Sequence, residues 1–297
     1  MVELLPAVSK LSFQQSLMQS NQRQSDRIAT VLISSIAILV AMAPLPMLWS
    51  IFADGLPSIS LTFIFAEPTD VGRGGGIFPL IIATLLILAV ALIAALPIGL
   101  GCAVYLSECV PPDSKQAKWI GHSLDILSGV PSIVFGLFGY AVFAIQMGLG
   151  FSILSGGLSL GCMMLPLFIR ISEQALRACP LSYRQAAAVM NISLSGFLRR
   201  ILLPTAAYGI AAAVVISIGR ALAESAVLIF TAGYVMRMPD SLFDSGRALA
   251  VHIYDLSMNV SGGQPHAAAT AVVLVITIIV INLTARYLAA RFSPDAI

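Results

Sequence analysis

The chain has 297 residues, of which 58% are hydrophobic and only 10% charged, with a formal net charge of +2 at pH 7. Soluble domains carry roughly 25% charged residues, so this balance excludes an ordinary water-soluble core and points into a bilayer. The small net charge gives no electrostatic footprint for nucleic acid. Cys102, Cys109, Cys162 and Cys179 lack paired spacing, and His122, His252 and His266 are scattered, so neither metal nor cofactor is expected.

Residues 1–27 are polar and Gln-rich, with Leu4, Leu5, Leu11 and Leu17 scattered among them, and read as a cytoplasmic surface tail rather than a signal peptide. A crossing helix needs about 20 apolar residues. Ile28 to Ala53 carries no charge and supplies the first, which is expected to stay as a signal anchor. Gly74 to Ser107 is charge-free and longer than one crossing needs, which predicts a tilted second helix with extra turns. Ile126 to Ile169 is too long for one helix, and Gly148, Gly150, Gly156 and Gly157 predict a turn dividing it into spans three and four. Pro204 to Ala232 gives the fifth span, which holds Arg220 and Glu224, and Ala267 to Ala285 gives the sixth.

Continuous apolar runs exclude a barrel, whose strands alternate over about ten residues. The expected fold is an all-α membrane protein with about six transmembrane helices over residues 28–292. The loops Asp54 to Arg73 and Gly233 to His266 are too short for an independent solute-binding domain. Six crossings put both termini on one side. Lys10, Arg23 and Arg27, Lys115 and Lys118, the arginines between spans four and five, and Arg286 and Arg291 all fall on that side. Only Arg73, Arg237 and Arg247 fall on the other, so the termini are assigned to the cytoplasm.

The cytoplasmic segment 179–204 carries Tyr183, Arg184, Gln185, Ala186 and Ala187, then Asn191, then Ile201, Leu202, Leu203 and Pro204. Gln185 to Met190 are helix-compatible, and the small alanines let another surface approach closely. Residue 191 is placed to turn the chain, since Asn follows Gly as the residue that tolerates positive φ. In spacing, this segment resembles the coupling loop of ABC importer permeases, with Gln185 where that family has Glu and Asn191 where it has Gly. The resemblance implies docking of P-loop ATPase subunits. This chain has no Gly-x-x-x-x-Gly-Lys-Ser/Thr cradle of its own, so it is expected not to be an enzyme.

Gly74 to Pro79, Gly129 to Gly139, Leu96 to Gly101, Tyr105 to Glu108 and Arg220 to Ala226 together resemble the phosphate permeases, and within them the PstA type. That resemblance implies a type I ABC importer fold in the bacterial inner membrane and ATP-driven uptake of inorganic phosphate. It also implies a PstC-type sister, two ATPase subunits and an extracytoplasmic phosphate-binding protein. The alternative within the class is a permease for phosphonate, sulfate or molybdate.

Arg220 also stands out without the family, because a charge at mid-membrane costs about 2.5 to 3.5 kcal/mol on insertion scales. With Glu224, Ser217 and Thr231 it is expected to form a polar stripe on one face of a continuous fifth helix. One reading is a neutralised pair that serves assembly. The other is a guanidinium facing the pathway, suited to a tetrahedral oxyanion and modulated by Glu224; the family resemblance implies this role for the two residues. Other classes fare worse. An intramembrane serine protease lacks the Gly-x-Ser-x-Gly elbow, and a passive channel would not require ATP. The glycines and Pro131 of Gly129 to Gly139 are expected to allow either tight packing or a local break near the cytoplasmic side at the start of span three.

Overall fold

The computed structural model describes Arg27 and residues 29–291. The expected tail, with Lys10 and Arg23, lies outside the described residues apart from Arg27. The chain divides into two compact units, Met1–Ala53 and Asp54–Ile297. Most of the first apolar helix, α1 (Ala29–Ser58), belongs to the first unit.

The second unit is a helical bundle with one small hairpin. A short α2 (Leu61–Phe65) leads to two-residue strands, β1 (Pro68–Thr69) and β2 (Gly74–Gly75), paired antiparallel. The sequence expectation of helix from Gly74 is corrected here: Gly75 takes φ 73°, a value helices do not use, and the helix starts at Phe78. α3 (Phe78–Cys109) then runs for 32 residues, about 48 Å at 1.5 Å per residue. That exceeds the roughly 30 Å hydrocarbon core, so its ends, including Glu108, reach past the apolar layer.

Span three is bent. α4 (Lys115–Gly129) and α5 (Ser132–Gln146) meet at 97°. Pro131 causes the break as expected: the residue before proline is driven to extended backbone, and Val130 sits at φ −66°, ψ 131°. The turn before span four uses Gly148 (φ 69°) and Gly150 (φ 60°). Gly156 and Gly157, expected in that turn, instead lie inside α6 (Ile153–Arg177), where they permit close packing. A Cβ on Gly157 would lie 2.5 Å from Val90 of α3, and one on Gly156 would lie 2.7 Å from the Ala232 side chain. Small residues at helix contacts are how membrane helices come close enough to gain dispersion energy. α6 is the centre of the bundle, with Ser155, Ser159, Leu160, Met163, Phe168 and Leu176 all at most 2% exposed.

After α6 come α7 (Leu181–Val189), α8 (Leu194–Ala223), α9 (Ala226–Thr231), α10 (Leu249–Met258) and α11 (Gln264–Arg291). The fifth helix starts ten residues before the expected Pro204. It widens to π geometry over Leu198–Leu202, just where Pro204 cannot donate to the i−4 carbonyl. The main core joins α3, α6, α8, α9, α10 and α11; a second, smaller core of Ala103, Leu106, Leu124, Leu176, Ala187 and Leu202, among others, sits under the α7 segment.

Candidate functional site

Two places in the bundle carry chemistry. The first is the α7 segment. Pro180 leads into the helix, Met190 ends it, and Asn191 takes φ 51°, the left-handed turn expected of that position. Ser193 then caps α8 through the Gly196 amide at 3.3 Å. α7 has two faces. Ala187 is 5% exposed in the smaller core, with Arg184 half-buried beside it. Tyr183, Gln185, Ala186 and Asn191 are exposed, together with Leu181, Val189 and Met190. Ile201, Leu203 and Pro204 are half-buried at the root of α8.

These exposed apolar side chains make a surface patch of the kind that marks a contact with another protein or with the membrane. Beneath it lies a charge network that sequence reasoning missed. Arg184 donates to both carboxylate oxygens of Glu108, at 2.8 and 3.3 Å. Arg177 donates to Glu173 at 2.9 Å and to the Leu106 carbonyl at 2.7 Å. Arg170 holds Asp125 through two bonds, at 2.6 and 2.9 Å. Each partner was visible as a residue, but nothing in a linear reading pairs positions as distant as 108 and 184. Cys179, beside this network, is buried, and desolvation raises its thiol pKa. It behaves as the small apolar side chain the sequence suggests.

The second place is the fifth span. The expected single helix 204–232 is broken: Glu224 is extended (φ −78°, ψ 125°) between α8 and α9. The stripe of Ser217, Arg220, Glu224 and Thr231 on one face therefore does not form. Arg220 and Glu224 are half-buried and, among the described residues, make no side-chain hydrogen bond or ion pair, so the mutually neutralised pair is not realised. Thr231 is fully buried in α9, where its hydroxyl donates to the Val227 carbonyl at 2.8 Å. Ser217 on α8 and Ser172 on α6 are fully buried, and among the described residues their hydroxyls have no hydrogen-bond partner. Non-helical backbone at membrane depth is tolerated where protein buries it or where it lines a water-filled cavity. Arg220 is thus an unpaired cation one turn before such a break.

A further polar cluster, also missed, surrounds α10. Arg247 is 6% exposed, forms an ion pair with Asp255 at 2.9 Å and donates to the Tyr234 carbonyl at 3.1 Å. It also lies 3.3 Å from Nδ1 of His252, which can accept from the guanidinium only while the ring is neutral. Burial, reinforced by the Arg247 charge and only partly offset by Asp255, pushes the His252 pKa down from 6.5 to about 4. The folded protein therefore keeps His252 neutral where the unfolded chain protonates it. Stability from this group is expected to be full above pH 6.5, to fall as the pH drops from 6.5 to 4, and to level off below. The total loss is about 3 kcal/mol. Thermal unfolding in detergent across that window measures it, and His252→Gln should flatten the profile.

These sites sit on a bundle of long apolar helices. Its fold is similar to the crystal structure of a bacterial ABC transporter involved in the import of the acidic polysaccharide alginate. That likeness covers 92% of this chain and 98% of the other at a TM-score of 0.62 and 15% identity. The chain belongs to the family of binding-protein-dependent transport system inner membrane components, whose model matches residues 95–296. It is 30% identical over 285 residues to the probable ABC transporter permease protein YqgI of Bacillus subtilis (strain 168), spanning 90% of this chain and 96% of the relative. It is also 30% identical over 269 residues to the phosphate transport system permease protein PstA 1 of Mycobacterium tuberculosis (strain CDC 1551 / Oshkosh), spanning 86% of each. The chain is accordingly an inner-membrane ABC importer permease subunit of the type I fold.

Proposed function

We propose that this chain is the PstA-type permease of an ATP-driven importer of inorganic phosphate. It forms half of the pathway with a PstC-type sister, while two ATPase subunits dock on the cytoplasmic loops of the pair, in this chain on α7, and an extracytoplasmic phosphate-binding protein delivers substrate. Both termini lie in the cytoplasm, in keeping with the distribution of basic residues. The observation that carries the anion reading is Arg220, an unpaired guanidinium beside a broken helix in the bundle. Its planar donors match two oxygens of a phosphate at once. Glu224, one residue beyond the end of α8, competes for the same cation and so limits how tightly the anion is held. The likeness to a phosphate permease over 86% of the chain supports the same substrate.

Cells carrying the complete system are expected to accumulate labelled phosphate only while ATP is supplied. Excess unlabelled phosphate should compete, and excess phosphonate, sulfate or molybdate should not. Competition by one of those anions in place of phosphate would reassign the substrate while leaving the permease fold untouched.

A further inference from the structure

Arg184 is a point where three helices meet. From the inner face of α7 it donates to Glu108 at the end of α3 and, at the end of α6, to the carbonyls of Cys179 at 2.8 Å and Leu176 at 3.0 Å. Helix C-termini leave carbonyls without intrahelical donors and carry partial negative charge, so a guanidinium there is held by both effects. The Glu108 side chain is 7% exposed and that of Arg184 24%, so water screens this pair far less than a surface pair. A few ångströms away, Arg177 ties α6 to the Leu106 carbonyl of α3, and the smaller apolar core fills the space beneath.

The route from α7 to α8 is built differently. It passes through the left-handed Asn191, the Ser193 cap and the π-widened Leu198–Leu202. The first two form a turn and the third is an irregular stretch of α8, and no described side-chain ion pair crosses them. The described side-chain hydrogen bonds of α7 thus run through Arg184 to α3 and the end of α6, whereas α7 meets α8 through the chain and the non-directional apolar packing of Ala187 against Phe197 and Leu202.

From this contrast we infer that the Glu108 and Arg184 pair is the link that delivers movement of α7 to α3 and α6, with Glu108 as the positioning residue. The inference rests on the reading of α7 as the ATPase-docking helix. α3 and α6 are packed through Gly157 and Gly161 against Val90 and Ala91, so a push on one is a push on both.

The test uses the whole complex in lipid vesicles, reading ATP hydrolysis with and without loaded binding protein. Glu108→Gln keeps shape and removes the charge. It is expected to retain the bound ATPase subunits and to lower the stimulation by binding protein about 10-fold. Arg184→Glu should do the same, and the exchanged pair Glu108→Arg with Arg184→Glu should recover a large part of it. Recovery will be incomplete, because a glutamate cannot donate to the Leu176 and Cys179 carbonyls. Full stimulation in Glu108→Gln, or an exchanged pair no better than either single change, would overturn the link. Failure of the ATPase subunits to co-purify with the unaltered chain would overturn the docking reading, and the link with it.

Discussion

Replacing Arg220 by Gln is expected to lower ATP-driven phosphate uptake at least about 100-fold, with the amount of protein in the membrane unchanged. The size follows from the contact proposed. Two charge-assisted hydrogen bonds to an anion, each contributing about 1.5 kcal/mol, amount to about 3 kcal/mol, or roughly a hundredfold. Insertion does not suffer, because a neutral amide costs less than a guanidinium at membrane depth. The fold loses no partner either, since Arg220 makes no side-chain hydrogen bond or ion pair among the described residues. A guanidinium that served assembly would show the reverse: less protein in the membrane and normal transport per molecule. Labelled uptake normalised to immunodetected protein separates the two, and undiminished uptake in Arg220→Gln would falsify the pathway role.

What the sequence discloses depends on whether a feature is local. Charge-free runs locate α1, α3, α6 and α11 because desolvating a charge is costly at every position of a span. The bend at Pro131 and the turn at Asn191 are legible for the same reason: each is set by one residue's own backbone preference. The break at Glu224 is not. Ala221 to Val227 contains no Gly or Pro, and its residues suit a helix interior, so the interruption is imposed by packing around it. Gly156 and Gly157 fail in the opposite direction. A glycine pair reads as a turn until the neighbouring helix is in place, and only then does its missing side chain become a contact. The 179–204 segment is visible as a pattern, whereas the partner of its Arg184, Glu108, is 76 residues away in the chain and becomes a partner only on folding.

Arg247→Met is expected to destabilise the protein by about 3 to 5 kcal/mol, the cost of leaving a buried carboxylate without its cation. Asp255 is 9% exposed, and its remaining side-chain contact is the amide of Asn259 at 2.8 Å. The double change Arg247→Met with Asp255→Leu removes both charges and should restore stability to within about 1 kcal/mol of the unaltered chain, since apolar replacement of a whole buried pair is often neutral or better. Thermal unfolding in detergent at pH 8, where His252 is neutral in both folded and unfolded chains, isolates the pair from proton uptake. If the double variant is as weak as the single one, the stabilisation comes from the Arg247 contacts with the Tyr234 carbonyl and ring rather than from the ion pair. The segment 233–266 would then be held to the bundle by a capped loop instead of a charge pair, and α10 would owe its position to Leu249, Val251 and Leu256, each fully buried.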